Sequence, residues 1–247
     1  WVLAPDDADR LAIADGRLPV VGPGDDVALS ADPGRPGLRV SAAGDVPDVL
    51  REVDVVFPVL HGPWGEDGAL QGLLELAGIP YVGSGVFASA AAMDKGHMKA
   101  LFGAAGLAQA PYEVLDDRDW RRHRAESLAR VRELGRPVFV KPARAGSSVG
   151  ITRVGESHDL EAAIELARQH DRRVVVEAAV RDSREIEVGV LTDEHGEPTT
   201  SVCAEIIVRG DHEFYDFEAK YLEDAADLKV PAELPAEVAE EVQRVAV

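Results

Sequence analysis

"RPVFVKPARAGSSVGITRV", residues 136–154, decides how this chain is read. A short β-type run ends in Lys141, a Gly/Ser loop follows, and "ITRV" resumes as a second β run. Pro142 holds the residue before it in extended backbone, so Lys141 can aim one compact charge at a phosphate from a strand end. The loop "ARAGSSVG" can then cover that phosphate with backbone N–H groups and the hydroxyls of Ser147 and Ser148. A solvated lysine beside a hairpin turn is the plain alternative. Lysine usage weighs against it, because the chain carries 21 Arg and only five Lys. Lys95 and Lys99 fall on one helix face in "AAMDKGHMKALF", Lys141 ends a strand, and Lys220 sits in "FEAKYL". A point-like ammonium suits a phosphate chain where a bidentate fork is not wanted.

Around this stretch the pattern is α+β. "PYEVL" reads as a strand, "DRDWRRHRAESLARVRELG" as a charged helix closed by Gly135, and "RRVVVEAAV" as a returning strand. Between them "SHDLEAAIELARQHD" reads as a helix, with Ser157 as N-cap and Asp159 in the first turn. Upstream, "VDVVFPVLHG" is a continuous apolar run expected to form a parallel strand buried on both faces. "EDGALQGLLELAG" then sets Leu70, Leu73, Leu74 and Ala77 at helical spacing, and "IPYVG" is the next strand. This predicts a parallel α/β arrangement over about residues 53–104. Residues 4–47, rich in Asp, Gly and Pro, read as loop with brief strands. Downstream, "EIEVGVLT" and "TSVCAEIIV" form a hairpin through "DEHGEP", and a polar loop leads to a final helix. The chain opens at Trp1 and stops inside an amphipathic pattern, so it is read as a segment of a longer protein.

Composition narrows the function. Apolar residues make up 46% and charged residues 29%, with no apolar run long enough for a membrane span. A net charge of −19 argues against a nucleic-acid partner, since a phosphate-tracking surface needs clustered Lys/Arg. Any anionic ligand must be held locally. The lone cysteine, Cys203, excludes an internal disulfide framework and a thiolate metal cluster; with no visible targeting segment, a cytoplasmic home is expected.

Two motif matches point elsewhere. "GSGVFA", with Gly83, Gly85 and Ala88, satisfies a dinucleotide-binding pattern, but no acidic ribose ligand follows about 20 residues later at a strand end. "GSSVG" satisfies the nucleophile-elbow pattern, with Asp193 and His212 in the right chain order for a hydrolase triad. An elbow needs a helix right after the serine, and "ITRV" is β-like. There is no Gly-Lys-Ser/Thr phosphate loop.

Two further segments carry chemistry. In "HGPWGEDGALQG", His61 falls at the carboxyl end of the expected parallel strand, and Glu66 and Asp67 start the next helix. These acids either complement the helix dipole or receive an ammonium. In "VVVEAAVRDSREIEVGVL", Glu177 ends a strand and "AAV" is a small apolar hinge suited to lie along a flat base. Glu177 could accept from an exocyclic amine, and Glu185 from ribose hydroxyls.

In this order the segments resemble the D-alanine-D-alanine ligases of the ATP-grasp superfamily. The match runs through "HGPWGEDGALQGLLELAGIPYVGSGVFASAAAMDK", "VFVKPARAGSSVGITRV", "EAAVRDSREIEVGVL" and "EFYDFEAKYLE", roughly residues 53–224. The resemblance implies an α/β and α+β chain, an ATP-grasp fold with a Rossmann-like amino-terminal domain over 1–93. A central ATP-grasp domain over 94–183 and a carboxyl-terminal one over 184–247 would hold ATP between them. It also implies the reaction: ATP phosphorylates the carboxylate of one D-alanine, and the amine of a second attacks the acyl phosphate, giving D-alanyl-D-alanine for peptidoglycan precursors. By motif position Lys95, Lys141, Ser147, Ser148 and Lys220 would meet the phosphates. Glu177, the Ala178 to Val180 backbone and Glu185 would hold adenosine, with Ile151 and Phe214 flanking the base. Tyr221 would bond with Ser147 to seal the site, and His61 and Glu66 would lie on the D-alanine side. The resemblance further implies Mg²⁺, whose Asp, Glu and Asn ligands are expected beyond Val247, and a homodimer. A substrate-binding acid in a loop before Trp1 is also expected, and Ala178 stands where some relatives carry lysine. A D-lactate-using depsipeptide ligase is the near rival, and a non-catalytic nucleotide-binding segment the distant one.

Overall fold

The structure is a computed structural model and describes residues 2–3, 25–30, 38–41, 48–51, 53–156, 158–209 and 226–247. It divides into two compact units, residues 1–179 and 180–247.

The first unit begins with an antiparallel meander of β1 (Val2–Leu3), β2 (Asp25–Leu29), β3 (Leu38–Ser41) and β4 (Asp48–Arg51). Next come helices α1 (Ala69–Ala77), α2 (Val86–Met93) and α3 (Lys95–Ala104). The helical spacing in α1 is realised: Leu70, Leu74 and Ala77 are buried with Ile79, against Leu29, Val53, Val56 and Tyr81. Gly78 closes the helix in the left-handed region. The strand expected at residues 53–62 is corrected. It is reduced to one parallel bridge, Val56 to Tyr81, with Val55, Phe57, Val59 and Leu60 all exposed. A strand buried on both faces needs neighbours and cover on both sides. Among the described residues this run pairs only at Val56, and it packs only with the cluster around α1.

The centre of the unit is an antiparallel sheet in the order β5 (Tyr112–Leu115), β8 (Val174–Ala178), β6 (Val138–Pro142), β7 (Thr152–Val154). Helices α4 (Asp117–Arg122), α5 (Arg124–Glu133) and α6 (Leu160–Arg168) supply its core. The single charged helix expected here breaks at His123, whose φ of −132° leaves the helical region. Gly135, at φ +76°, ends the second piece as anticipated. The cap of α6 is also corrected: Asp159, at the N-cap, accepts from the N–H groups of Glu161 at 2.9 Å and Ala162 at 3.2 Å.

Period-two alternation gives the sheet two unlike faces. On one, Leu115, Val138, Val140, Val154, Val174 and Val176 pack with Trp120, Leu128, Val131, Leu160 and Ile164 in a dry cluster. On the other, register sets Tyr112, Glu177, Phe139 and Arg153 in one row and Val114, Val175 and Lys141 in the next. The first face holds the fold together, at about 1.5–3 kcal/mol per fully buried aliphatic side chain. The second carries the chemistry.

The second unit contains a sheet of β9 (Glu185–Glu187), β12 (Ala204–Val208) and β13 (Ala226–Lys229), ordered β13-β12-β9. A hairpin of β10 (Val190–Thr192) and β11 (Pro198–Thr200) lies in sequence between β9 and β12. The hairpin is the one expected through "DEHGEP", closed by the Asp193 N–H donating to the Glu197 carbonyl at 2.9 Å. Helix α7 (Ala236–Ala246) ends the unit. Buried Glu205 takes a two-pronged contact from Arg184, at 2.6 Å through each nitrogen. No helix is long and apolar enough to cross a membrane among the described residues.

Candidate active site

The chemical face of the central sheet meets the amino end of α3. Asp94 caps that helix, its Oδ1 accepting from Gly96 at 3.0 Å and His97 at 3.1 Å. Arg173, at the start of β8, reaches Asp94 Oδ2 at 2.8 Å and Asp116 at 2.9 Å, tying helix to sheet. Lys95 and Lys99, one turn apart, are thereby fixed over the sheet. Lys95 Nζ donates to the Ala145 carbonyl at 2.6 Å, and Lys99 Nζ lies 2.8 Å from Glu177 Oε2. From β6, Lys141 Nζ donates to the other oxygen of Glu177. Glu177 is thus held between two ammonium groups, with Tyr112 and Phe139 beneath them: Lys99 stands 5.0 Å from the Tyr112 ring centroid and Lys141 5.4 Å from that of Phe139.

Electrostatics follow from this crowding. Burial pushes the Lys95 ammonium below its ordinary value, and neighbouring Lys141 pushes it further, against the pull of Glu177, Asp94 and Asp171. Burial alone would raise Glu177, but Lys141 and Lys99 outweigh it and hold the carboxyl below its ordinary range. Three lysines thus gather around Glu177 in a chain of net charge −19.

The Gly/Ser loop is anchored at both ends. Arg144 grips Asp171 through Nε at 2.9 Å and Nη2 at 2.8 Å, and the Arg144 N–H adds a third bond at 2.9 Å. Burial would raise Asp171, yet the hydrogen bonds from Arg144 and the Arg173 N–H keep it lowered. At the far end Gly150 has φ +70°, and a methyl group there would lie 2.5 Å from His170 Cδ2 and 2.9 Å from Pro142 Cγ. Between the anchors Ser147 and Ser148 are both left-handed, at φ +51° and +58°. Two such non-glycine residues in succession are uncommon and cost on the order of 1–2 kcal/mol each.

The loop also abuts the "HGPWGED" turn. A methyl group on Gly146 would meet Gly62 Cα at 3.7 Å and Glu66 Oε2 at 3.8 Å. That Glu66 oxygen accepts from the Gly62 N–H, and Oε1 lies 3.9 Å from His61 Nδ1. Glu66 and Asp67 precede α1 rather than starting it: Asp67 accepts from Trp64 at 2.8 Å and Ala69 at 3.0 Å. His61 is exposed and does not end a buried strand.

Of the residues singled out from sequence, the structure brings together Lys95, Lys141 and Glu177, and sets the Gly146–Ser148 loop against Glu66. Ile151 follows the loop, its N–H donating to the Ser148 carbonyl at 3.3 Å. The Ala178 N–H donates to the Pro111 carbonyl at 2.9 Å and the Ala179 N–H to the Pro137 carbonyl at 3.0 Å. Val180 and Glu185 are exposed in the second unit. Phe214, Lys220, Tyr221 and His212 lie outside the described residues. Asp193 serves the hairpin, accepting from His195 at 2.8 Å and Glu197 at 2.9 Å. Lys99 was not among the site residues expected from sequence, although its spacing from Lys95 and the scarcity of lysine both marked it.

Known proteins match the whole length of the chain. Residues 101–247 match the family description "D-ala D-ala ligase C-terminus", and residues 1–84 match "D-ala D-ala ligase N-terminus". The chain is 51% identical over 256 residues to a D-alanine--D-alanine ligase of Streptomyces coelicolor, covering 100% of itself and 65% of that relative. It is 51% identical over 253 residues to one from Mycobacterium avium, covering 67% of it. Among solved structures it resembles the VanG D-Ala:D-Ser ligase of Enterococcus faecalis, with TM-score 0.73, 36% identity, 90% of this chain and 61% of that one. D-alanyl-alanine synthetase A of Vibrio cholerae gives TM-score 0.73 at 31% identity, with 90% of this chain and 64% of that one covered.

Proposed function

Because the chain belongs to the D-alanine-D-alanine ligase family and has its ATP-grasp fold, we propose that it forms the phosphate-gripping part of an enzyme that joins two D-alanines at the expense of ATP. The observation that carries this reading is the placement of Lys95 and Lys141 beside a left-handed glycine loop that touches the Glu66 turn. Two ammonium groups in mutual repulsion, one of them desolvated, are relieved by a polyanion. On this reading the loop excludes water from an acyl phosphate, and a carboxylate of the turn beside it receives a D-alanine ammonium.

In this reading Lys95 and Lys141 neutralise charge that moves from ATP to the acyl phosphate, and Ser147 and Ser148 close over it. Glu177 accepts from the adenine amine while keeping Lys99, since a carboxylate has about four acceptor sites. Ala178, Val180, Ile151, Glu185 and Phe214 are assigned to adenosine, Lys220 to the γ-phosphate, and Tyr221 to the seal with Ser147, on resemblance. His61 and Glu66 are assigned to the D-alanine side, and the domain limits 1–93, 94–183 and 184–247 are proposed on the same ground. A homodimer in the cytoplasm completes the proposal. Among the described residues no group of three or more His, Cys, Asp or Glu could hold a metal ion.

The test is ADP release by the full-length protein with ATP and D-alanine. Lys141→Ala is expected to lower the rate by roughly 10²-fold or more, as loss of electrostatic stabilisation at a transferring phosphoryl group does. Near-normal turnover would remove Lys141 from the mechanism. D-lactate as the second substrate in the same assay separates dipeptide from depsipeptide formation.

A further inference from the structure

Lys99 belongs to none of the roles above, yet it is among the few buried charged side chains of the first unit. Its ammonium lies 2.8 Å from Glu177 Oε2, with side-chain exposures of 11% and 15%. Lys141, 21% exposed, takes the other oxygen. One carboxylate therefore faces two lysines, and only one of them is needed to compensate it.

We propose that Lys99 is a positioning residue: it is the permanent counter-ion of Glu177, and its bond leaves Lys141 free to turn to a phosphate. Without Lys99, Lys141 has two poor choices. It stays on Glu177 and the nucleotide loses a charge contact, or it leaves and strands a buried carboxylate, which is costly enough that the carboxyl takes up a proton. Lys99 can keep its post because it sits on the helix capped by Asp94 and clamped by Arg173, with Tyr112 under its ammonium. The other charged groups around Glu177 are Lys95 on α3, which feels its charge, and Arg153 on β7 in the same cross-strand row. Lys99 holds Glu177 by a direct contact of 2.8 Å.

The inference rests on the nucleotide reading above, and a double-mutant cycle in the full-length protein tells the two apart. ATP affinity is measured by calorimetric titration for the unaltered protein, Lys99→Met, Glu177→Gln and the double variant, at pH 6 and pH 8. Failure of the unaltered protein to bind ATP overturns the nucleotide reading itself. If it binds, Lys99→Met is expected to weaken ATP roughly tenfold or more at pH 8 and less at pH 6, where Glu177 can take its proton. In the Glu177→Gln background the same change is expected to cost less than about threefold, because the coupling runs through the carboxylate. Lys99→Arg, which keeps the charge, is expected to recover most of the affinity. An equal loss from Lys99→Met in both backgrounds, with no pH difference, overturns the proposal. Should Lys99→Met fail to fold, Lys99→Arg and Lys99→Gln at the two pH values decide: equal affinity for both contradicts it.

Discussion

Lys141 owes its position to three residues that act on it locally. Pro142 fixes its backbone, Phe139 lies beneath its ammonium, and Glu177 takes its charge. The first was legible in the sequence, because X-Pro restricts backbone wherever it occurs. The contact with Glu177 was not, since it depends on the register that places Lys141 beside Val175 and Glu177 beside Phe139. Gly150 shows the same division: its place in a loop could be read, its need to be glycine could not. With φ at +70° and His170 and Pro142 against it, Gly150→Ala is expected to destabilise the first unit by about 2 kcal/mol or more, measured by urea unfolding. His170 is exposed and able to give way, so His170→Ala in the same chain is expected to restore part of that loss. An unchanged midpoint in Gly150→Ala would show that the loop adopts another conformation in solution.

At the scale of elements, alternation in β6 and β8 sorts valines to the helices and charged residues to the opposite face. Ile164 on α6 belongs to the first set, fully buried among Val138, Val140, Val174 and Val176. Ile164→Ala is expected to cost about 3 kcal/mol in chemical denaturation while leaving the ATP affinity of the folded protein within about twofold. A large affinity loss without loss of stability would mean that the two faces are not separate. Strands β5, β6, β7 and β8 could be read in advance because each is short, β-branched and bounded by Pro, Gly or Asp. The run at residues 53–62 misled for a physical reason: an apolar sequence states that a segment seeks cover, and not which neighbours exist to provide it. The helix break at His123 was hidden likewise, since nothing in "WRRHRAES" forbids a helix.

Over the whole molecule, a chain of net charge −19 concentrates three of its five lysines around one carboxylate. On the proposed reading that contrast attracts an anion to this cluster. The chain spans 65% of the length of the Streptomyces relative, and phosphate recognition can be tested at these lysines. Lys95 offers the sharpest probe. Its ammonium is held below its ordinary value by burial and by Lys141, and a bound polyphosphate must raise it again. Affinity for ATP should then be full below the lowered value and fall as pH rises through it, with a proton taken up on binding in that window. The deciding measurement is calorimetric titration of ATP into the full-length protein and its Lys95→Met variant, in buffers of different ionisation enthalpy. The expected result is proton uptake by the unaltered protein near the Lys95 titration, and at least about tenfold weaker binding without that uptake in the variant. Equal affinity and equal uptake in both would contradict the convergence of these lysines on a triphosphate.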